Sequence, residues 1–252
     1  SGILWILNVK MKTRENKHMK RNPNACLICG KELIYTEHAK EMECSICHQT
    51  FLSNACCEDG HFVCDSCHEA KGLEAIRDFC LSTDLKDPIQ IAQQIMQNPF
   101  IYMHGPEHHV LVGSALLTAY KNCGGSIDLE EALSLMEERG KQVPGGVCGF
   151  WGCCGAGVIT GIYCSILSKS TPLAGTSWGL SNQMTSRSLE NIGTHGGPRC
   201  CKRDSFLAIL SAVEFTKEHF QVELPVSCSI RCSFHEENGQ CLKNHCPFYP
   251  LS

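Results

Sequence analysis

Apolar positions recur every three or four residues through most of 69–222, and the stretches that carry them are bounded by recognisable start and stop residues. In DPIQIAQQIMQN, Asp87 reads as an N-cap and Pro88 as the first helical residue. HGPEHHVLVGSALLTAYKNCGG opens at Pro106 and closes at Gly124 and Gly125. DLEEALSLMEERG starts at Asp128, has acids in its first turn and ends at Gly140. Further helices are expected from about Cys153 to Leu167, from about Gly179 to Ile192, and from Pro198 to about Phe220. In the last of these, Phe206, Leu210 and Val213 share one helical face. No strand-like alternation interrupts this region, so it reads as all-α.

On either side the periodicity gives way to cysteine. Residues 1–22 form a leader, expected to be disordered, whose second half (KMKTRENKHMKRN) is strongly basic. Residues 23–68 form a compact cysteine cluster, 69–222 the helical domain, and 223–252 an irregular cysteine-rich end. The fold class expected is mostly α: a helical domain preceded by a small zinc-binding module and followed by that tail.

Composition sharpens the picture. Of 252 residues 20 are cysteine, and without them the apolar share falls from 43 % to about 35 %, lean for a core built by hydrophobic contact alone. The cysteines come as Cys-x-x-Cys or adjacent pairs with histidines interleaved, in a chain longer than most small disulfide-stapled domains, and no export signal is visible. Metal ligation in a reducing cytoplasm explains that better than disulfides. A net charge of −4 argues against a polyanion-binding chain, and the basic leader has no interleaved aromatics for stacking on bases. No apolar run approaches the roughly 20 residues of a membrane span.

The first cluster carries the most specific motif. Cys26-x-x-Cys29 and Cys44-x-x-Cys47 are followed by Cys57, His61, Cys64 and Cys67, which makes eight ligands for two tetrahedral zinc ions. A RING-like cross-brace would put Cys44, Cys47, Cys64 and Cys67 on one ion and Cys26, Cys29, Cys57 and His61 on the other. A tandem ribbon would instead group the first four and the last four. Either way, closed sites of four ligands are structural, because no coordination position is left for substrate.

Three helix starts in the middle carry reactive side chains: Glu107, His108 and His109; Cys148, Cys153 and Cys154; and Cys200 and Cys201, flanked by Arg199, Lys202 and Arg203. A helix amino terminus and nearby cations favour thiolates and anions. Cys148, Cys153, Cys200, Cys201, His108, His109 and Glu107 are therefore candidate catalytic or ligating groups converging on one site, with Arg199, Lys202 and Arg203 as its anion-binding side. The alternative for the thiols is a place in the core, and Cys80, Cys123 and Cys164 read that way. In the tail, Cys228, Cys232, Cys241 and Cys246 could hold an iron–sulfur cluster, since a proline follows the last cysteine, or a third zinc with His235 or His245 as substitute ligands.

Together CLICG, ECSIC, GHFVCDSCH, HGPEHH, GGVCGFWGCCGAG, GGPRCCKR and CPFY resemble a family of cysteine-rich proteins of anaerobic bacteria and archaea, catalogued as a domain of unknown function. The resemblance spans residues 24–250 and implies an anaerobic, cytoplasmic setting without naming a reaction. Cys148, Gly152, Cys153, Ala156, Gly161, Cys200 and Cys201 more loosely resemble the Cys, Gly-Cys-Ala, Gly, Cys, Cys pattern of small helical redox proteins, but Cys154 and Gly155 interrupt its Gly-Cys-Ala core.

The function expected is that of a metal–thiolate enzyme or accessory enzyme of anaerobic metabolism, of oxidoreductase or sulfur-transfer type. The alternatives are a zinc-scaffolded adaptor, binding a protein through the module or, less in keeping with the charge, a nucleic acid, and a metal or cluster carrier. No Walker loop, dinucleotide fingerprint or Gly-x-Ser-x-Gly elbow supports other enzyme classes.

Overall fold

Two cysteine knuckles frame a β-hairpin, and the hairpin leads directly into a helical bundle. The computed structural model describes residues 25–250, so the basic leader lies outside the described residues. Strands β1 (Leu33–Glu43) and β2 (Thr50–Cys57) pair antiparallel, from Leu33 opposite Cys57 at one end to Glu43 opposite Thr50 at the other. A register shift between Tyr35 and Lys40 puts extra residues on β1. β1 is mostly exposed, while β2 alternates exposed with half-buried positions up to the buried Cys57, so the ribbon has only a thin apolar face.

The helices are α1 (Asp65–Ser82), α2 (Pro88–Ile95), α3 (Glu107–Asn122), α4 (Leu129–Gly140), the single turn α5 (Cys148–Trp151), α6 (Gly155–Leu167), α7 (Thr176–His195) and α8 (Cys201–Phe220). The mostly α fold expected from the sequence is found. One difference concerns α1, which starts at Asp65 inside the expected zinc module: Cys64 is its N-cap residue and Cys67 lies in its first turn. The expected division at 68/69 therefore falls within a continuous helix. The helix expected from Cys153 begins at Gly155, because Gly152 in the left-handed region ends α5 first.

Helix α3 is the central element, buried from Glu107 to Tyr120 and surrounded by α1, α2, α4, α6 and α8. Phe206, Ile209 and Val213 of α8 and Tyr163 of α6 complete the core. Helices α6 and α7 approach closely at Gly161, where a Cβ would meet the backbone carbonyl of Ser181 at 2.9 Å.

The C-terminal segment is irregular apart from a 3-10 turn at Lys243–His245, yet it is pinned to the bundle. Asp87 Oδ1 accepts from the N–H groups of Ile89 (2.8 Å) and Gln90 (3.2 Å), capping α2 as expected. Its Oδ2 accepts from the N–H and the hydroxyl of Ser227, each at 2.9 Å. Three glutamines on one face continue the attachment: Gln90 donates to Ser227 Oγ, Gln93 to the Arg231 carbonyl and Gln97 to Ser233 Oγ. Phe234 and Phe248 then enter the same core as the helices. Asp87→Ala should cost about 2 kcal/mol, the cap plus the anchoring bonds, read as a lower urea midpoint at unchanged slope.

Candidate metal centres and the convergence of three helix starts

The hairpin register gathers ligands that are distant in sequence. Cys26 and Cys29 precede β1 and Cys57 closes β2, so the Leu33–Cys57 pairing brings the first knuckle to Cys57 and His61. At the other end, the turn between the strands carries Cys44 and Cys47. Cys44 bridges to Phe62, and Ser45 N donates to the Phe62 carbonyl at 2.8 Å, which draws in the start of α1 with Cys64 and Cys67. The ligand atoms of Cys26, Cys29, Cys57 and His61 lie within 4.8 Å of one another, as do those of Cys44, Cys47, Cys64 and Cys67. This is the cross-braced grouping; the sequential ribbon is not the arrangement found.

The spacings match a single ion. A zinc–sulfur bond of about 2.3 Å places two thiolates of a tetrahedron about 3.8 Å apart. Cys29 and Cys57 sulfurs are 3.7 Å apart, Cys47 and Cys64 sulfurs 3.8 Å, and Cys57 Sγ lies 3.4 Å from His61 Nδ1. Backbone amides support the thiolates: Ile28 N donates to Cys26 Sγ and Cys64 N to Cys44 Sγ, both at 3.4 Å. Burial opposes the Cys44 thiolate, but N–H groups of Cys47, Cys64 and Ile46 bring its pKa down to about 6. Burial and the neighbouring sulfurs push Cys67 in the same set up to about 12. Four thiols this close cannot all ionise unless a cation shares them. Both sets could hold metal ions.

The three helix starts of the middle region do meet, but inside the protein. Cys154 Sγ lies 4.0 Å from Asp204 Oδ2, which also accepts from Cys200 N at 3.3 Å. Gly155 packs so tightly on the His109 ring that a Cβ there would overlap Nε2. Glu107, His108 and His109 are buried, with Glu107 Oε1 accepting from Tyr102 N at 2.9 Å, His108 Nδ1 3.1 Å from the Gly105 carbonyl and His109 Nδ1 3.1 Å from that of Val143. Burial lowers the pKa of both histidines and raises that of Glu107. No grouping of three or more ligand atoms within 4.8 Å among the described residues includes Cys148, Cys153, Cys200 or Cys201.

Two expectations change here. The helix starts were expected to lower thiol pKa values, whereas burial pushes Cys154 up to about 12 and Cys201 to about 11, and raises Cys200 as well. Desolvation outweighs the helix dipole once the helix end is covered. The cations also have other partners. Lys202 is fully buried, donates to the Tyr102 carbonyl at 2.9 Å and sits 4.6 Å from the centre of the Phe234 ring. Arg203 pairs with Asp204 at 3.0 Å and donates to the carbonyls of Gly196 and Pro198. Arg199 alone of the three is exposed.

The tail cysteines divide. Cys228 is exposed, while Cys232, Cys241 and Cys246 line one cavity. The fourth cysteine lining that cavity is Cys200, from the start of α8. Spacing along the tail points to Cys228 and carries no sign of Cys200, because only the docking of the segment on α2 and α8 brings it in.

A family model matches residues 76–249, more than two thirds of the chain. The chain belongs to the family of unknown function DUF5714. The DUF5714 match takes in the helices and the C-terminal segment together, and it begins within α1, after all eight ligands of the hairpin module. No curated protein and no solved structure matches the chain. No helix among the described residues is long and apolar enough to cross a membrane.

Proposed function

We propose that this DUF5714 chain is a zinc-stabilised metal–thiolate protein serving thiol redox or sulfur handling, as an enzyme or an accessory to one. The observation that carries the metal part is the pair of four-ligand sets with tetrahedral spacing, 3.7 and 3.8 Å between sulfurs. Such sites are closed, so their zinc is structural and fixes the hairpin to the start of α1. The chemistry then belongs to the helical domain and its tail. In support, the starts of α3, α6 and α8 bring cysteine, histidine and carboxylate side chains together. The buried thiols there ionise readily only beside a cation, which suits metal-bound sulfur better than a free nucleophile. The test is elemental analysis and thiol counting on the full chain purified without air. Two zinc per chain should survive a mild peroxide pulse that consumes those thiols of the helical domain that a bound cation keeps ionised. Absence of zinc, or thiols untouched outside the module, overturns the reading.

A second reading, an adaptor that binds a protein partner, is favoured by one observation. Exposed Tyr35 and Leu52 of the hairpin border a cleft whose far wall is Pro99 and Tyr102. An adaptor would keep its two zinc ions and leave the thiols of the helical domain unchanged in the same experiment.

A further inference from the structure

A small cavity lies between the C-terminal segment and the start of α8, partly open to solvent. Cys200, Cys232, Cys241 and Cys246 line it, and Phe206, Phe234 and Phe248 make much of its remaining wall. Each of three sulfurs already accepts an N–H: Phe234 N donates to Cys232 Sγ at 3.4 Å, Lys243 N to Cys241 Sγ at 3.3 Å, and Asn238 Nδ2 to Cys200 Sγ at 3.5 Å. The first two repeat the bond that Ile28 N makes to Cys26 Sγ in the hairpin module, a sulfur accepting from the amide two residues on. His235 also borders the cavity, and its Nδ1 is buried without a hydrogen-bond partner.

The spacing differs from that of the module. No three of these sulfurs, with or without His235, gather within 4.8 Å, as the ligands of one ion must. They surround a space instead. A cubane cluster asks for that arrangement, because each thiolate binds its own iron at a corner of the cube. An apolar wall keeps water from the inorganic core, and N–H groups aimed at the sulfurs delocalise its negative charge. The start of α8 adds its positive end beside Cys200.

We propose that Cys200, Cys232, Cys241 and Cys246 hold a four-iron, four-sulfide cluster between the start of α8 and the C-terminal segment. This deepens the metal–thiolate reading and rests on it for its chemistry, with ligands separate from those of the hairpin module. Assembly balances as two ferric ions, two ferrous ions, four sulfides and four thiols giving a cluster–thiolate unit of charge −2 and four released protons. The set differs from the one that spacing along the tail indicates, in that Cys200 takes the place of Cys228.

The test uses the full chain, reconstituted under nitrogen with ferrous and ferric iron and sulfide, then desalted. The expected result is about four iron and four acid-labile sulfide per chain, with a broad visible charge-transfer band. Cys200→Ser and Cys241→Ser should each lose most of the iron and bleach, while Cys228→Ser keeps both. Circular dichroism shows whether each variant folds, and Cys241, half-buried on the tail, is the variant least able to disturb the bundle. Iron retained in folded Cys200→Ser, iron lost in folded Cys228→Ser, or a third zinc filling the site would each overturn the proposal. Zinc analysis of the same samples separates the two readings. A cluster with no zinc would sink the zinc-stabilised reading alone, and two zinc with no iron would sink the cluster alone.

Discussion

Cys64→Ala should release at least one zinc per chain and unfold the hairpin module while the helical core stays folded. Cys64 is nearly inaccessible, lies 3.8 Å from Cys47 and donates its backbone N–H to Cys44 Sγ. It also precedes the first turn of α1, so a metal held by its thiolate would be tied to the helix. The hairpin has little core of its own: β1 is mostly exposed, β2 is half-buried at alternate positions, and a two-stranded ribbon is at best marginal in water. Binding of a structural zinc contributes on the order of 10 kcal/mol to such a module, so losing one site exceeds anything the ribbon can supply. The expected signature is loss of at least one of the two zinc ions, rapid proteolysis between residues 30 and 60, and little change in helical circular dichroism. Two zinc retained in the variant would remove the cross-brace from consideration.

Asp204→Ala should cost about 3–5 kcal/mol, because it leaves the buried Arg203 guanidinium without its counter-charge. Arg203 and Asp204 are each about 95 % inaccessible, and their bond of 3.0 Å is made inside the junction of α8 with the Gly196–Pro198 loop. The second carboxylate oxygen accepts from Cys200 N, so the same change also loosens the start of α8. Asp204→Asn keeps an acceptor there and should lose less. Urea denaturation of the three proteins checks the order. The exposed pair of Arg187 and Glu218 is bidentate, at 2.6 and 2.9 Å, yet its removal should change little, because water replaces what is lost. A loss below about 1 kcal/mol for Asp204→Ala would mean that the guanidinium finds water or another acceptor on its own.

How much of this was legible in the sequence depended on how local the cause was. Asp87 with Pro88, and Asp128 with Gly140, mark helix ends through bonds that span two or three residues, and those helices lie where the pattern places them. The ligand pairs of the module were legible for the same reason. Which pairs share an ion was not, because that follows from Leu33 facing Cys57 across the hairpin, and the polar strands hide the hairpin itself. The helix starts at Cys154 and Cys200 were visible, but their burial was not. Desolvation by α3 and the tail then reverses the direction of the thiol shifts expected from charge alone. Cys200 and Cys232 lie on opposite sides of all of α8, and nothing in either neighbourhood signals the other.

The glutamine ladder on and just after α2 also sets an order in time. As the chain leaves the ribosome, α1 to α8 can pack before the segment that runs along Gln90, Gln93 and Gln97 exists. Cys200 is in place early, whereas Cys246 and Phe248 are translated only after the whole of α8. Until then the cavity has one wall and is open to its surroundings. Any inorganic group delivered there has its natural moment in that interval, before the tail settles over it.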